Sequence, residues 1–218
     1  MFPRAVPASG VLLCLILLPG GVIAQERSLS IDAIYDPDSR VDFSGTPPTS
    51  LTWLDADHYL WGRRSESGRG REWVRVDALS GHTVVLFDAA AMEAALSAVP
   101  GISPGQAAGI ARGADLRFNP ARTGALVTLA DDLFFYEFSA ARVTRLTSAA
   151  GEEEEATFSP DGRLVAFVRH HDLFVVTVRK PRERQITRDG AGEVLNGKLD
   201  WLYQEEIYGR GNFRGYWW

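Results

Sequence analysis

Phe158-Ser-Pro-Asp-Gly162, running into Leu164-Val-Ala-Phe-Val168 and then Asp172-Leu-Phe-Val-Val-Thr-Val178, decides the fold. Ser159-Pro-Asp-Gly162 is a turn with a mechanism, because proline presets φ and glycine accepts a positive one. The runs Leu164–Val168 and Leu173–Val178 are rich in β-branched and aromatic residues. The first is apolar throughout, as a strand buried on both faces must be. Forty residues upstream the same text recurs in outline: Phe118-Asn-Pro answers Phe158-Ser-Pro, Asp132-Leu-Phe134 answers Asp172-Leu-Phe174, and Leu146-Thr147 answers Ile186-Thr187. Three pairs in one register define a unit of turn, apolar strand, Asp turn, second apolar strand and a polar strand closing on (Leu/Ile)-Thr. A period near forty with several short strands per unit is the signature of β-propeller blades, whereas a β-sandwich would show such similarity only by chance. The expected fold is all-β, a partial β-propeller of about three blades with a small helical insert.

Upstream, Leu51 to Asp88 reads as a more divergent unit, with strands at Leu51–Leu54, His58–Trp61, Trp73–Val76 and Thr83–Phe87. The helical insert spans about 88–112: Asp88 is placed to cap a helix over Ala89–Ala98, and Ser103 or Pro104 to start a second through Ala111. Met92, Ala95, Leu96 and Val99 share a helical face and read as packing, with the pair on the propeller's outside or rim. Downstream, the repeat places the next aromatic-x-Pro turn near residue 198, and no aromatic stands there. Trp218 is the best candidate for that position. About twenty extra residues, roughly 198–216, therefore form an insertion carried by the propeller, and insertions in repeat architectures gather on a functional face.

The 218 residues are 45% hydrophobic with a net charge of −5, which allows a core and gives nothing that invites nucleic acid. Met1-Phe-Pro-Arg4, the apolar run Val11–Leu18, Pro19-Gly-Gly21 and Val22-Ile-Ala24 read as a secretory signal peptide cleaved after Ala24, too short to span a bilayer. The expected location is secreted or periplasmic. Cys14 is the only cysteine and lies in that leader, so the mature chain has no thiol nucleophile, disulfide or thiolate metal site. Removing Arg4 leaves a charge of about −6.

Within the insertion lies Asp200-Trp-Leu-Tyr-Gln-Glu205-Glu206-Ile-Tyr-Gly-Arg210, and the chain closes on Gly215-Tyr-Trp-Trp218. Adjacent carboxylates among Trp201, Tyr203 and Tyr208 repel each other and are partly desolvated unless a cation neutralises them. The guest such a pair fits is a positive charge, and the alternative is ion pairing with Arg210 or Arg214 on an exposed helix.

These residues resemble the N-terminal β-propeller region of the dipeptidyl peptidase IV family, in the prolyl oligopeptidase class of serine peptidases. The family's Asp-Trp-Val-Tyr-Glu-Glu-Glu-type segment stands here with Leu202 for Val and Gln204 for the first Glu, and neither change touches the pair that follows. The resemblance implies that Glu205 and Glu206 grip the protonated N-terminus of a peptide substrate, leaving room for two residues before the scissile bond. It also implies an eight-bladed propeller, a C-terminal α/β-hydrolase domain holding the Ser-Asp-His triad, a preference for proline or alanine, and members that often form homodimers. It implies an arginine near the substrate carbonyl, which no one residue here matches.

No catalytic residue is assigned within the chain, and no cofactor or metal is expected. Gly101-Ile-Ser103-Pro-Gly105 satisfies Gly-x-Ser-x-Gly literally, but Pro104 has no N–H to lend an oxyanion hole. Glu152-Glu-Glu-Glu155 reads as a solvated acidic loop, and His170-His171, taken as consecutive strand residues, point to opposite faces and do not ligate together. Eight blades need roughly 320 residues. The chain is thus expected to be the N-terminal part of a longer enzyme, inactive alone and prone to aggregate through unpaired blade edges. A non-enzymatic secreted propeller that binds proteins is the competing reading, and a catalytically dead homologue a third. Reading the encoding DNA past Trp218 separates them.

Overall fold

The structure, a computed structural model, describes residues 30–35, 50–66, 68, 70–113 and 116–218. The expected leader 1–24, with Cys14, lies outside the described residues. The chain divides into two compact units, Met1–Pro47 and Pro48–Trp218. In the first, the described part is a short helix, α1 (Ile31–Tyr35), which exposes Ile31 and Tyr35. No described helix is long and apolar enough to cross a membrane.

The second unit holds three four-stranded antiparallel sheets in which the order along the sheet is the order along the chain. Sheet one is β1 (Leu51–Trp53), β2 (His58–Arg64), β3 (Arg71–Asp77) and β4 (Thr83–Val85). Sheet two is β5 (Arg117–Phe118), β6 (Gly124–Leu129), β7 (Asp132–Glu137) and β8 (Arg142–Arg145). Sheet three is β9 (Glu154–Phe158), β10 (Leu164–Arg169), β11 (Asp172–Thr177) and β12 (Glu183–Gln185). These meanders are propeller blades, and the fold is a partial propeller.

The forty-residue period holds down to single hydrogen bonds. Leu129 pairs with Asp132 as Arg169 pairs with Asp172, and Phe134 with Arg145 as Phe174 with Gln185. The Leu133 amide donates to Thr147 Oγ1 at 2.8 Å, and the Leu173 amide to Thr187 Oγ1 at 2.9 Å. Even strained backbone repeats: Ala130 and Asp131 hold φ of 47° and 67°, His170 and His171 51° and 64°. Paired positive φ values make two-residue hairpin turns whose twist matches the strands. His170 and His171 are therefore a β10–β11 turn, not strand residues, and the alternating-face argument does not apply to them.

Forty is even, and side chains along a strand alternate, so each face keeps its role from one sheet to the next. Val127, Phe134 and Tyr136 of sheet two face back toward sheet one, while Leu126, Leu133 and Phe135 face forward into sheet three. Their counterparts obey the same rule: Phe167, Phe174 and Val176 face back, and Ala166, Leu173 and Val175 face forward. Gly124 shows how close the strands lie, since a Cβ there would meet Phe135 Cζ at 2.3 Å and Tyr136 O at 2.5 Å.

Two helices, α2 (Ala89–Ser97) and α3 (Pro104–Ala111), follow sheet one. Asp88 caps the first, accepting from the amides of Ala90 and Ala91 at 2.8 and 3.2 Å, and Ser103 forms a capping box with Gln106 on the second. Ser103 is thus a helix cap. Met92 and Leu96 are fully buried in one core with Leu60 and Trp73 of sheet one and Val127 and Phe134 of sheet two. The pair packs in the core shared by the first two sheets, with α2 against β8 of sheet two.

Candidate functional site

Asp172 begins the site, because it fastens the β10–β11 turn to the segment leaving β12. Its Oδ1 accepts from Thr187 Oγ1 (2.8 Å), the Gly190 amide (3.0 Å) and Asn196 Nδ2 (3.2 Å), and its Oδ2 from Gln185 Nε2 (3.1 Å). Burial alone would raise this carboxyl, but the four donors outweigh it and hold the group below the usual carboxylate range.

The insertion then closes on itself. Leu199 N donates to Phe213 O at 2.6 Å, Gly215 N to Gly197 O at 2.9 Å, and Lys198 bridges Arg214 in antiparallel fashion. Gly197 sits at φ 79°, where a Cβ would lie 3.1 Å from both Leu173 Cδ1 and Val168 Cγ2. Close approach of the insertion's base to sheet three needs glycine there.

Beyond the base, Trp201 and Leu202 turn into a π-helical stretch, Tyr203–Ile207, in which the Tyr208 amide donates to Tyr203 O at 2.8 Å. Single π turns are rare and recur at functional sites. Asp200 Oδ1 caps the Tyr203 amide at 3.1 Å, and Gln204 Oε1 accepts from Gly211 N at 3.0 Å, folding the Gly209–Gly211 turn back on the helix. Glu205 and Glu206 stand side by side on that turn. Glu205 is 38% exposed and meets Arg210 at 3.2 Å, an arginine 85% exposed, while Glu206 is exposed and makes no ion pair among the described residues. Trp201, Tyr203 and Tyr208, neighbours of the pair along the chain, are exposed, and the Tyr203 and Tyr208 rings stack at 6.3 Å between centroids.

The acidic run Glu152–Glu155 is not the solvated loop its composition indicated. Glu153 is buried against Arg169 (3.0 Å), which also pairs with Glu183 and lies over the Phe174 ring at 4.4 Å. Burial pushes the Glu153 carboxyl up, against the pull of Arg169. Glu154 pairs with Lys198 of the insertion. Glu155 takes φ 54°, and its carbonyl receives the Tyr216 hydroxyl. That hydroxyl also reaches Ala166 O at 2.9 Å and Thr157 Oγ1 at 3.0 Å, and burial keeps the phenol protonated by raising its pKa. Tyr216 covers Ala166 and Val168 on the forward face of sheet three, as Ala156 packs with Leu126. Trp218, two residues on, donates to Thr157 Oγ1 at 3.2 Å.

The class is therefore set by blades of forty residues and an insertion that leaves the last of them: a propeller with a polar, aromatic-flanked projection at one end. Residues 127–218 match the family model described as the dipeptidyl peptidase IV N-terminal region. Probable dipeptidyl peptidase 4 of Aspergillus clavatus is 41% identical over 63 residues, 29% of this chain and 8% of that protein. Probable dipeptidyl-aminopeptidase B of Podospora anserina is 40% identical over 62 residues, 28% of this chain and 7% of that protein. The matched stretches thus span less than a tenth of those relatives. The crystal structure of Porphyromonas gingivalis dipeptidyl peptidase 4 superposes with a TM-score of 0.54 at 24% identity, over 75% of this chain and 23% of that one, a likeness of fold.

Lys198, Glu154 and Tyr216 were missed as parts of this site. The repeat held a signal for the last two: residues 154–158 precede the Ser-Pro-Asp-Gly turn as an inner strand, and Tyr216 stands two residues before Trp218 as Ala156 stands before Phe158.

Proposed function

We propose that this chain is the substrate-binding, gating portion of a secreted or periplasmic serine dipeptidyl aminopeptidase, one that releases N-terminal dipeptides. The observation that carries the reading is the Glu205-Glu206 pair on an exposed π turn inside the family-matched region, with one carboxylate held by a solvent-exposed arginine. A substrate ammonium entering between them displaces Arg210 from Glu205 and makes charge-assisted hydrogen bonds, each worth about 1.5–3 kcal/mol. An acylated N-terminus lacks the charge and adds bulk, so it is rejected. The nucleophile, base and acid come from a hydrolase domain that follows the propeller, and such enzymes act as homodimers within the reading carried over from the family.

The experiment is a titration of the 218-residue chain with alanyl-prolyl amide and its N-acetyl counterpart, followed by NMR of the tryptophan indoles. The free amine is expected to bind, the acetylated one not, and Glu205→Gln or Glu206→Gln to weaken binding tenfold or more. Arg210→Ala, which frees Glu205 of its surface partner, is expected to tighten it by about twofold to fivefold, the scale of an exposed pair. Equal binding of both peptides would remove the clamp from the reading. The exposed Trp201, Tyr203, Tyr208 and Trp217 favour a second reading, a protein-binding propeller, since aromatic residues are enriched at interfaces.

A further inference from the structure

The insertion meets the propeller at its base through contacts of different kinds. Backbone pairing joins 197–199 to 213–215, Tyr216 is buried on sheet three, and one ion pair, Lys198 Nζ to Glu154, reaches from the insertion to the inner strand β9. Lys198 is also within 5.8 Å of the Phe213 ring centroid, and both members of the pair are about three-quarters buried, with 23% and 30% of their side chains exposed. Backbone pairing closes the loop on itself, and its hold on sheet three comes from side chains and from the close packing of Gly197. Tyr216 fixes the strand after the loop. On the strand before the loop, Asn196 holds to Asp172 and to the His171 carbonyl, and Lys198 adds the last side-chain anchor described there, five residues ahead of the π-helical stretch that carries the carboxylates.

We propose that Lys198 and Glu154 are a positioning pair, holding the insertion against β9 so that Glu205 and Glu206 present one fixed geometry to an incoming cation. This rests on the amine-binding reading above. The pair acts through the loop's orientation and touches no substrate. Glu153, buried on Arg169, holds the neighbouring backbone, so Glu154 is a rigid post.

The test uses the 218-residue chain with Lys198→Met, Glu154→Gln and the exchanged pair Lys198→Glu with Glu154→Lys. Amide exchange comes first and needs no ligand: both single variants are expected to lose protection at Gln204 and Tyr208 while Val175 and Val176 in β11 stay protected. In the peptide titration the single variants bind alanyl-prolyl amide about threefold to tenfold more weakly, the range of a largely buried ion pair, with an unchanged urea midpoint. The exchanged pair recovers most of both signals, which a general loss of stability would not. Unchanged exchange at Gln204 and Tyr208 overturns the positioning role whatever the peptide does. Normal affinity in the single variants, beside a loss in Glu205→Gln, overturns it and leaves the clamp standing. Exchange that loosens in a chain indifferent to N-acetylation keeps the anchoring and overturns the amine reading instead.

Discussion

Asp172 shows at the residue scale how one carboxylate organises a loop. Its four donors come from the end of β12 and the segment that leads from it to the insertion, and they hold its pKa below the ordinary value. A depressed carboxylate contributes stability that is present above its unfolded pKa, about 3.9, and is lost as pH falls through the folded value. Glu153 works in the opposite sense: its pKa is raised, so protonation at low pH favours the folded form. Comparing wild type with Asp172→Asn isolates the first effect. Urea midpoints at pH 7 and pH 3 are expected to show the variant less stable at pH 7 and with a smaller drop between the two. An equal drop in both would deny Asp172 that role.

At the scale of elements the helical insert is a wedge of core, with Leu96 and Met92 fully buried between residues of sheets one and two. Leu96→Ala leaves a cavity there and is expected to cost about 2–5 kcal/mol in urea unfolding, against about 1 kcal/mol for removing the cap with Asp88→Ala. Both helices and their caps were legible because Asp88, Ser103 and Pro104 are local signals that act through the backbone beside them. The blades were legible because their period is even and long, so one register fixed strands, turns and faces together. Glu152–Glu155 defeated composition: whether a glutamate is solvated depends on a partner 16 residues on, Arg169, or 44 on, Lys198, and no local pattern announces either. His170 and His171, read from sequence as strand residues, form instead the hairpin tip between β10 and β11. For the glutamate pair, sequence supplied the adjacent carboxylates, their aromatic neighbours along the chain and, as the alternative reading, the ion pair with Arg210 that Glu205 makes; the π turn needed coordinates.

For the propeller as a whole, the informative surface is the forward face of sheet three. Ala166, Val168, Leu173 and Val175 make there the kind of surface that, one blade earlier, Leu126, Leu133 and Phe135 bury against a neighbouring sheet. Here Tyr216 packs on it, and Leu173 and Val175 remain half-buried. A half-covered apolar sheet face drives association. The 218-residue chain is expected to sediment as concentration-dependent oligomers, and the pair Leu173→Lys with Val175→Lys to shift it toward monomer. Sedimentation as a monomer at all concentrations would show that this face is content without a partner.

Strand order also carries a consequence in time. Because every sheet follows the chain order, each hairpin joins segments a few residues apart, and low contact order lets such units form early. The bonds from Tyr216 span 50 to 61 residues and require β9 and β10 to exist first. The insertion therefore docks last, onto a finished blade, so a nascent chain sets its paired carboxylates in place only after the sheet that carries them has folded.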